Sequence, residues 1–261
     1  MLQFGCCCKA EHIPQLARAG YDYAELSAAQ IAAMPQAQFE AVVAALEAAG
    51  LPCLALNDYC EGEPAIVGDG FCEADVFAYA KRVCARAARL GARVIGVGAP
   101  MARKLPAAYD PALAVSQAVR FLQLTADAAA QYPGLSILME ALNHTACDFC
   151  NTQAASLSLV RQATRDSVFM EVDFFHMACM QEPFESFSTY APYTKHVHIS
   201  GKTAQNARRY FTEADEPLCD AALRALRQAG YAGAVSVEAP LSTLTGDALS
   251  LSLRHMRRAA E

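Results

Sequence analysis

Eight short apolar runs recur along this chain, and a stretch with helical periodicity separates each from the next. The runs are LQFGC (2–6), DYAEL (22–26), PCLALN (52–57), RVIGVG (93–98), LSILME (135–140), VFMEVD (168–173), KHVHIS (195–200) and AVSVEA (234–239). Between them lie segments such as QAQFEAVVAALEAAG and VSQAVRFLQLTADAAAQ, whose apolar residues return at the spacing of one helix face. Gly20, Gly50, Gly91 and Gly230 each follow a helical stretch and precede a strand. That is where a helix ends in left-handed backbone, which glycine adopts without strain. Strand–helix alternation with right-handed crossovers either closes into an eight-stranded barrel or opens into a doubly wound sheet. Eight units in 261 residues match the barrel. No GxGxxG follows the first strand to support a dinucleotide-binding sheet. The expected fold is therefore α/β, a single (β/α)8 TIM barrel over residues 1–261, without linker or internal repeat.

Composition narrows the setting. An apolar content of 54% excludes disorder. A formal charge of −6 argues against nucleic acid or an anionic membrane as partner. No apolar run reaches the roughly 20 residues that span a bilayer. The first residues, MLQFGCCCKA, lack a basic segment followed by an apolar stretch, so no signal peptide is expected. The 11 cysteines are odd in number and fall largely at apolar positions. A chain this long has no need of disulfide staples, so free thiols in a reducing cytoplasm are expected. Cys147 and Cys150 have metal or redox spacing, but no second such pair accompanies them, and packing is the preferred reading. Cys6, Cys7 and Cys8 end the first strand, where a thiol can face the barrel mouth.

Four consecutive strands end in a metal-ligand residue type: Glu140, Asp173, His198 and Glu238. Neighbouring strands of a barrel bring such residues to one mouth, the face where barrel enzymes carry their sites. Alternation supports the placement. Leu138 shares a face with Glu140 and Ser236 with Glu238, while Val235 and Val237 face the helices. Three carboxylates and one imidazole form a hard site for one divalent ion. It suits Mn²⁺ or Mg²⁺, with Co²⁺ or Zn²⁺ as alternatives, and leaves positions for substrate oxygens. Glu171 and His196 lie two residues before Asp173 and His198, so both point into the barrel one layer down. There they are expected to interact directly or through water, with Ser236 as an alternative partner for Glu171. Long connections after the third and fifth strands, NDYCEGEPAIVGDG and ALNHTACDFCNT, are candidate lids. Tyr59 in the first packs on a sugar or on the loop itself. His144 in the second is a candidate substrate contact, and His255, in the basic terminal run RHMRR, is expected to be solvated.

With these elements in place the chain resembles the xylose isomerase-like TIM-barrel superfamily. The similarity lies in its sugar isomerase/epimerase branch of ketose 3-epimerases, hydroxypyruvate isomerase and inosose dehydratase. AGYDYAEL, ALNDYCEGEPAIVGD, LGARVIGVGAP, ILMEALNHTACDFCNT, VDFFHM, HVHIS and GYAGAVSVE carry the resemblance over nearly the whole chain. It implies that Glu140, Asp173, His198 and Glu238 ligate the metal, that Glu140 and Glu238 double as acid and base, and that His176 contacts substrate hydroxyls. Glu25 and Asn57, at the ends of the second and third strands, join the substrate-facing candidates, Glu25 alternatively standing behind the site. The chain departs from the branch in two places. Ala141 stands where a proline is common, and Gly201 stands where an acidic residue often follows H-V-H-I. In the run after it, Lys202, Arg208 and Arg209 compete for one basic role, with Lys202 and Arg208 the substrate-binding candidates.

The function this implies is a metal-dependent sugar isomerase or epimerase that acts on a small ketose or related keto compound through an enediolate. The partner is a small sugar or polyol-like molecule, with a homo-oligomer left open. Same-fold dehydratases of the inosose or dehydroshikimate type are the near alternative. An apurinic-site endonuclease would need a histidine-rich zinc centre, whereas the chain has six histidines and only His198 in the cluster. A non-catalytic sugar-binding barrel would not require two carboxylates flanking its ligand.

Overall fold

The computed structural model describes residues 1–244 and 246–260. Among the described residues there are ten strands: β1 (Gln3–Cys8), β2 (Tyr23–Ser27), β3 (Cys53–Asn57), β4 (Val94–Val97), β5 (Ser136–Glu140), β6 (Val168–Asp173), β7 (Thr194–Ile199), β8 (Gly201–Lys202), β9 (Arg208–Arg209) and β10 (Ala234–Val237). Eight of them, β1 to β7 and β10, close a parallel barrel in chain order, with β10 pairing back onto β1. The (β/α)8 expectation holds. Gly20, Gly50, Gly91 and Gly230 take φ values of 89°, 61°, 82° and 68°, which is why glycine ends those helices.

Two strand ends differ from the sequence expectation in ways that matter for the site. β1 runs to Cys8 rather than Cys6, so the cysteine run reaches the mouth. β10 stops at Val237, and Glu238 sits just beyond it, its backbone N–H donating to the Ile199 carbonyl at 3.1 Å. The segment after β7, expected as a loop, folds into an antiparallel ribbon in which Gly201 faces Arg209 and Lys202 faces Arg208. Gly201 is needed there because a side chain would strike the Asp215 carboxylate, 2.8 Å from an ideal Cβ.

The apolar core lies mainly in the annulus between sheet and helices. Inside the barrel the filling changes with height. Tyr23, Ala55, Val94 and Leu138 form a small apolar plug toward the strand starts. Glu25, Glu171, His196 and His198 lie further along the strands, and Glu140, Asp173 and Glu238 reach the mouth. Three glycines, Gly5 and Gly96 in strands and Gly98 just past the end of β4, make room for these large residues. An added Cβ would fall 2.2 Å from the Tyr23 ring at Gly5, 2.1 Å from Glu171 Oε2 at Gly96 and 2.5 Å from Glu140 Oε2 at Gly98.

Candidate active site

Glu140, Asp173, His198 and Glu238 converge at the C-terminal mouth, each offering one ligand atom within 4.8 Å of the other three. Glu140 is the last residue of β5. Asp173 ends β6 and also caps the helix Phe174–Cys179, its Oδ1 accepting the Phe175 N–H at 2.7 Å. His198 turns Nδ1 toward the mouth, 3.4 Å from Glu238 Oε2 and 4.0 Å from Glu140 Oε1. Its Nε2 donates to Glu25 Oε1 at 2.9 Å. A carboxylate behind an imidazole fixes the ring and leaves the opposite nitrogen for a cation. Glu140 Oε1 and His198 Nδ1 are both buried without a hydrogen-bond partner. Two orphaned donor atoms among three carboxylates fit a hard divalent ion.

Arg208 supplies the positive charge of the mouth. It extends from β9 with its guanidinium 4.3 Å over the Phe175 ring, and reaches Asp173 Oδ2 at 2.5 Å and Glu238 Oε2 at 2.7 Å. Glu238 also accepts from Asn57 Nδ2 at 3.2 Å. These contacts push the two flanking carboxyls apart. Burial and the neighbouring Glu238 charge raise the Glu140 carboxyl to about 8. Burial works the same way on Glu238, but Arg208 and His198 outweigh it and hold that carboxyl below the usual range.

His176 sits in the first turn after β6. Its Nδ1 accepts the Asn143 backbone N–H at 3.1 Å, and its Nε2 stands 3.1 Å from the Arg208 guanidinium. Burial lowers its pKa to about 4, so the ring is neutral. Above these residues opens a cavity of about 510 Å³, bordered by Asn57, Asp58, Leu142, His176, Arg208 and Pro240 among others. That volume falls in the range of small-molecule sites. Cys7 and Cys8 line it as well, as the cysteine run suggested, and burial pushes the Cys7 thiol up and keeps it neutral.

Several expectations need correction. Glu25 does not face the cavity. It is fully buried and accepts from both His196 Nε2, at 2.8 Å, and His198 Nε2. Lys202 turns along the ribbon to Asn206 Oδ1 at 2.7 Å and leaves the mouth to Arg208. Glu171 and His196 do point inward, but they stand 4.0 Å apart because Glu25 takes the histidine. Ser236 pairs with the Tyr23 hydroxyl at 2.8 Å rather than with Glu171. Tyr59 is buried edge-on against Tyr79 and Phe121, so it packs on the helices Glu73–Leu90 and Pro111–Ala129 rather than on a sugar or its own loop. His144 is exposed and does not line the cavity, and His255 is buried beside Phe211 rather than solvated. Cys147 and Cys150 are both free.

Arg103 and Asn143 belong to the site, yet motif reading passed over them. The fully buried Arg103 donates to the Glu140 carbonyl at 2.8 Å and the Val97 carbonyl at 2.6 Å, tying the ends of β4 and β5 together. Its only sequence signal is a cation in the apolar stretch APMAR. Asn143 orients His176 and was visible only as the last letter of Glu-Ala-Leu-Asn.

Residues 13–259 match the family model of the xylose isomerase-like TIM barrel. Among solved structures, a D-psicose 3-epimerase from Clostridium cellulolyticum H10, determined with D-tagatose, superposes with a TM-score of 0.83 at 17% identity, covering 99% of each chain. A 3-keto-D-glucoside 4-epimerase from E. coli gives 0.77 at 21% identity, over 99% of this chain and all of the other. A family 2 AP endonuclease from Brucella melitensis gives 0.75 at 18% identity, over 96% of each. No protein of curated function matches the sequence. Identities this low establish a common fold.

Proposed function

The chain belongs to the xylose isomerase-like TIM-barrel family, and on that premise we propose that it is a divalent-metal-dependent sugar epimerase or isomerase acting on a small ketose or related keto compound. The observation that carries this reading is the convergence of Glu140, Asp173, His198 and Glu238 at the mouth, with Glu140 and Glu238 both bordering one cavity. Glu140, Asp173, His198 and Glu238 are the residues that would hold the ion, Mn²⁺ or Mg²⁺ by the hardness of the set. When bound, it polarises a substrate carbonyl and balances charge developing on the substrate oxygens.

The protein side of the reaction follows from the charge pattern. Glu238 takes the proton from the carbon beside the carbonyl, and Glu140 returns one. Return to the same carbon from the other side inverts it, while return to the neighbouring carbon moves the carbonyl. His176, which borders the cavity, contacts a substrate hydroxyl. Arg208 keeps Glu238 ionised and holds Asp173 in place, and Asn57 fixes the orientation of Glu238. An endonuclease reading gains less support, because His176 and His198 are the histidines of the mouth and the charge of the chain opposes DNA.

The test is a panel of ketoses, hydroxypyruvate and inosose in D₂O, with Mn²⁺ restored after chelation. Deuterium should enter at the carbon beside the carbonyl with wild-type protein, and stop on chelation and in Glu238→Gln. Metal binding without exchange or turnover on any keto compound of the panel would overturn the proposal.

A further inference from the structure

Directly beneath the mouth, Glu25, Glu171, His196 and His198 form a second four-residue cluster whose donor atoms also lie within 4.8 Å of one another. All four side chains are sealed inside the barrel. Glu25 contacts His196 Nε2 at 2.8 Å and His198 Nε2 at 2.9 Å, and Glu171 Oε1 stands 3.5 Å from His198 Nε2 and 4.0 Å from His196 Nε2. A four-coordinate ion with ligand bonds of about 2.1 Å spaces its donors by roughly 3.4 Å, and these separations scatter about that value.

Glu171 is what the hydrogen bonds leave unexplained. It is 1% exposed, and neither of its oxygens has a hydrogen-bond partner. A carboxylate in that position loses its hydration and gains no hydrogen bond in return. The space is made for the group, because Gly96 on the neighbouring strand withholds the Cβ that would strike Glu171 Oε2.

We propose that this cluster is a second, enclosed metal site, taking a four-coordinate ion of the zinc or cobalt class through Glu25, Glu171, His196 Nε2 and His198 Nε2. Two imidazoles and two carboxylates in a tight shell suit Zn²⁺ or Co²⁺, whereas Mg²⁺ demands six oxygens. The proposal rests on the mouth reading only in sharing His198, whose Nδ1 faces one site and Nε2 the other. Filling both sites would require the His198 ring to give up its N–H proton, so that Nδ1 and Nε2 could each serve as a ligand.

Full-length protein expressed in cobalt-supplemented medium tests the assignment, by metal content per chain and by the visible absorption of tetrahedral Co²⁺. Wild type should carry two ions, of which brief chelation removes the one at the mouth. Glu171→Gln and His196→Gln should each carry one ion and lose the tetrahedral band, and Glu238→Gln should keep that band. A single, readily chelated ion in wild type overturns the interior site and leaves the mouth reading standing. Two ions in wild type and in both interior variants overturn it too, since the second ion then binds elsewhere. Absence of any ion overturns both readings.

Discussion

The mouth of the barrel and the layer beneath it both gather carboxylates around His198, but their surroundings differ. At the mouth, Glu238 is 27% exposed and shares Arg208 with Asp173, so solvent and a guanidinium offset the acidic charge. One layer down, Glu25 and Glu171 meet only histidines and are shut off from water. The same residue types therefore serve different ends. Carboxylates that border a cavity can exchange protons with a ligand, while those sealed beneath it can only hold other side chains or an ion in place.

The largest expected effect separates the two layers directly. Glu238→Gln should lower kcat by at least about 10²-fold, the usual contribution of a general base, with little change in ligand affinity. Steady-state kinetics on the substrate found in the panel provides the check, and a loss confined to KM would erase the distinction. In the lower layer, Glu25→Leu removes the partner of both histidines. Metal affinity at the mouth should fall by roughly 10–100-fold, as measured by calorimetric titration.

Smaller effects sharpen the contrast. In metal-free protein the raised Glu140 carboxyl has a definite sign. A folded-state pKa of about 8, above the ordinary value, means that stability is full below the usual carboxylate range and falls as pH rises through 8, by at most about 1.4 kcal/mol per unit. Denaturant midpoints across that window should show the slope in wild type and lose it in Glu140→Gln. Lys202→Ala should matter least, changing kcat/KM by less than about twofold, because the ammonium group reaches Asn206 and not the cavity. A large effect would return Lys202 to the substrate's side.

The contrast between layers also explains what could be read from sequence. β6 was legible to the residue because a continuous apolar run ends in an aspartate that caps the next helix. Residue alternation correctly sent Glu140, Glu171, His196 and Glu238 inward. It carries direction but not height, so Glu25 was placed with the substrate when it stands below the histidines. Height is set by strand tilt and stagger, which local sequence does not encode. The β8–β9 ribbon had no periodicity to betray it, with two residues in each strand, and so the choice among three basic residues stayed open until Arg208 was seen over Phe175. Arg103 was hidden for another reason. Nothing in a short loop signals that an arginine will be buried against two backbone carbonyls.

Gly96 in β4 and Gly98 just past its end show how such a centre can fail. Gly96 and Gly98 contribute no functional group, yet the Glu171 and Glu140 carboxylates occupy the volume that their side chains would fill. The arrangement of this barrel thus depends on two absences, and a single added methyl group at Gly98 would require the end of the Glu140 carboxylate to move. A search that scores residues by the groups they bring would rank both glycines as silent, although the walls of the reaction chamber are drawn by them.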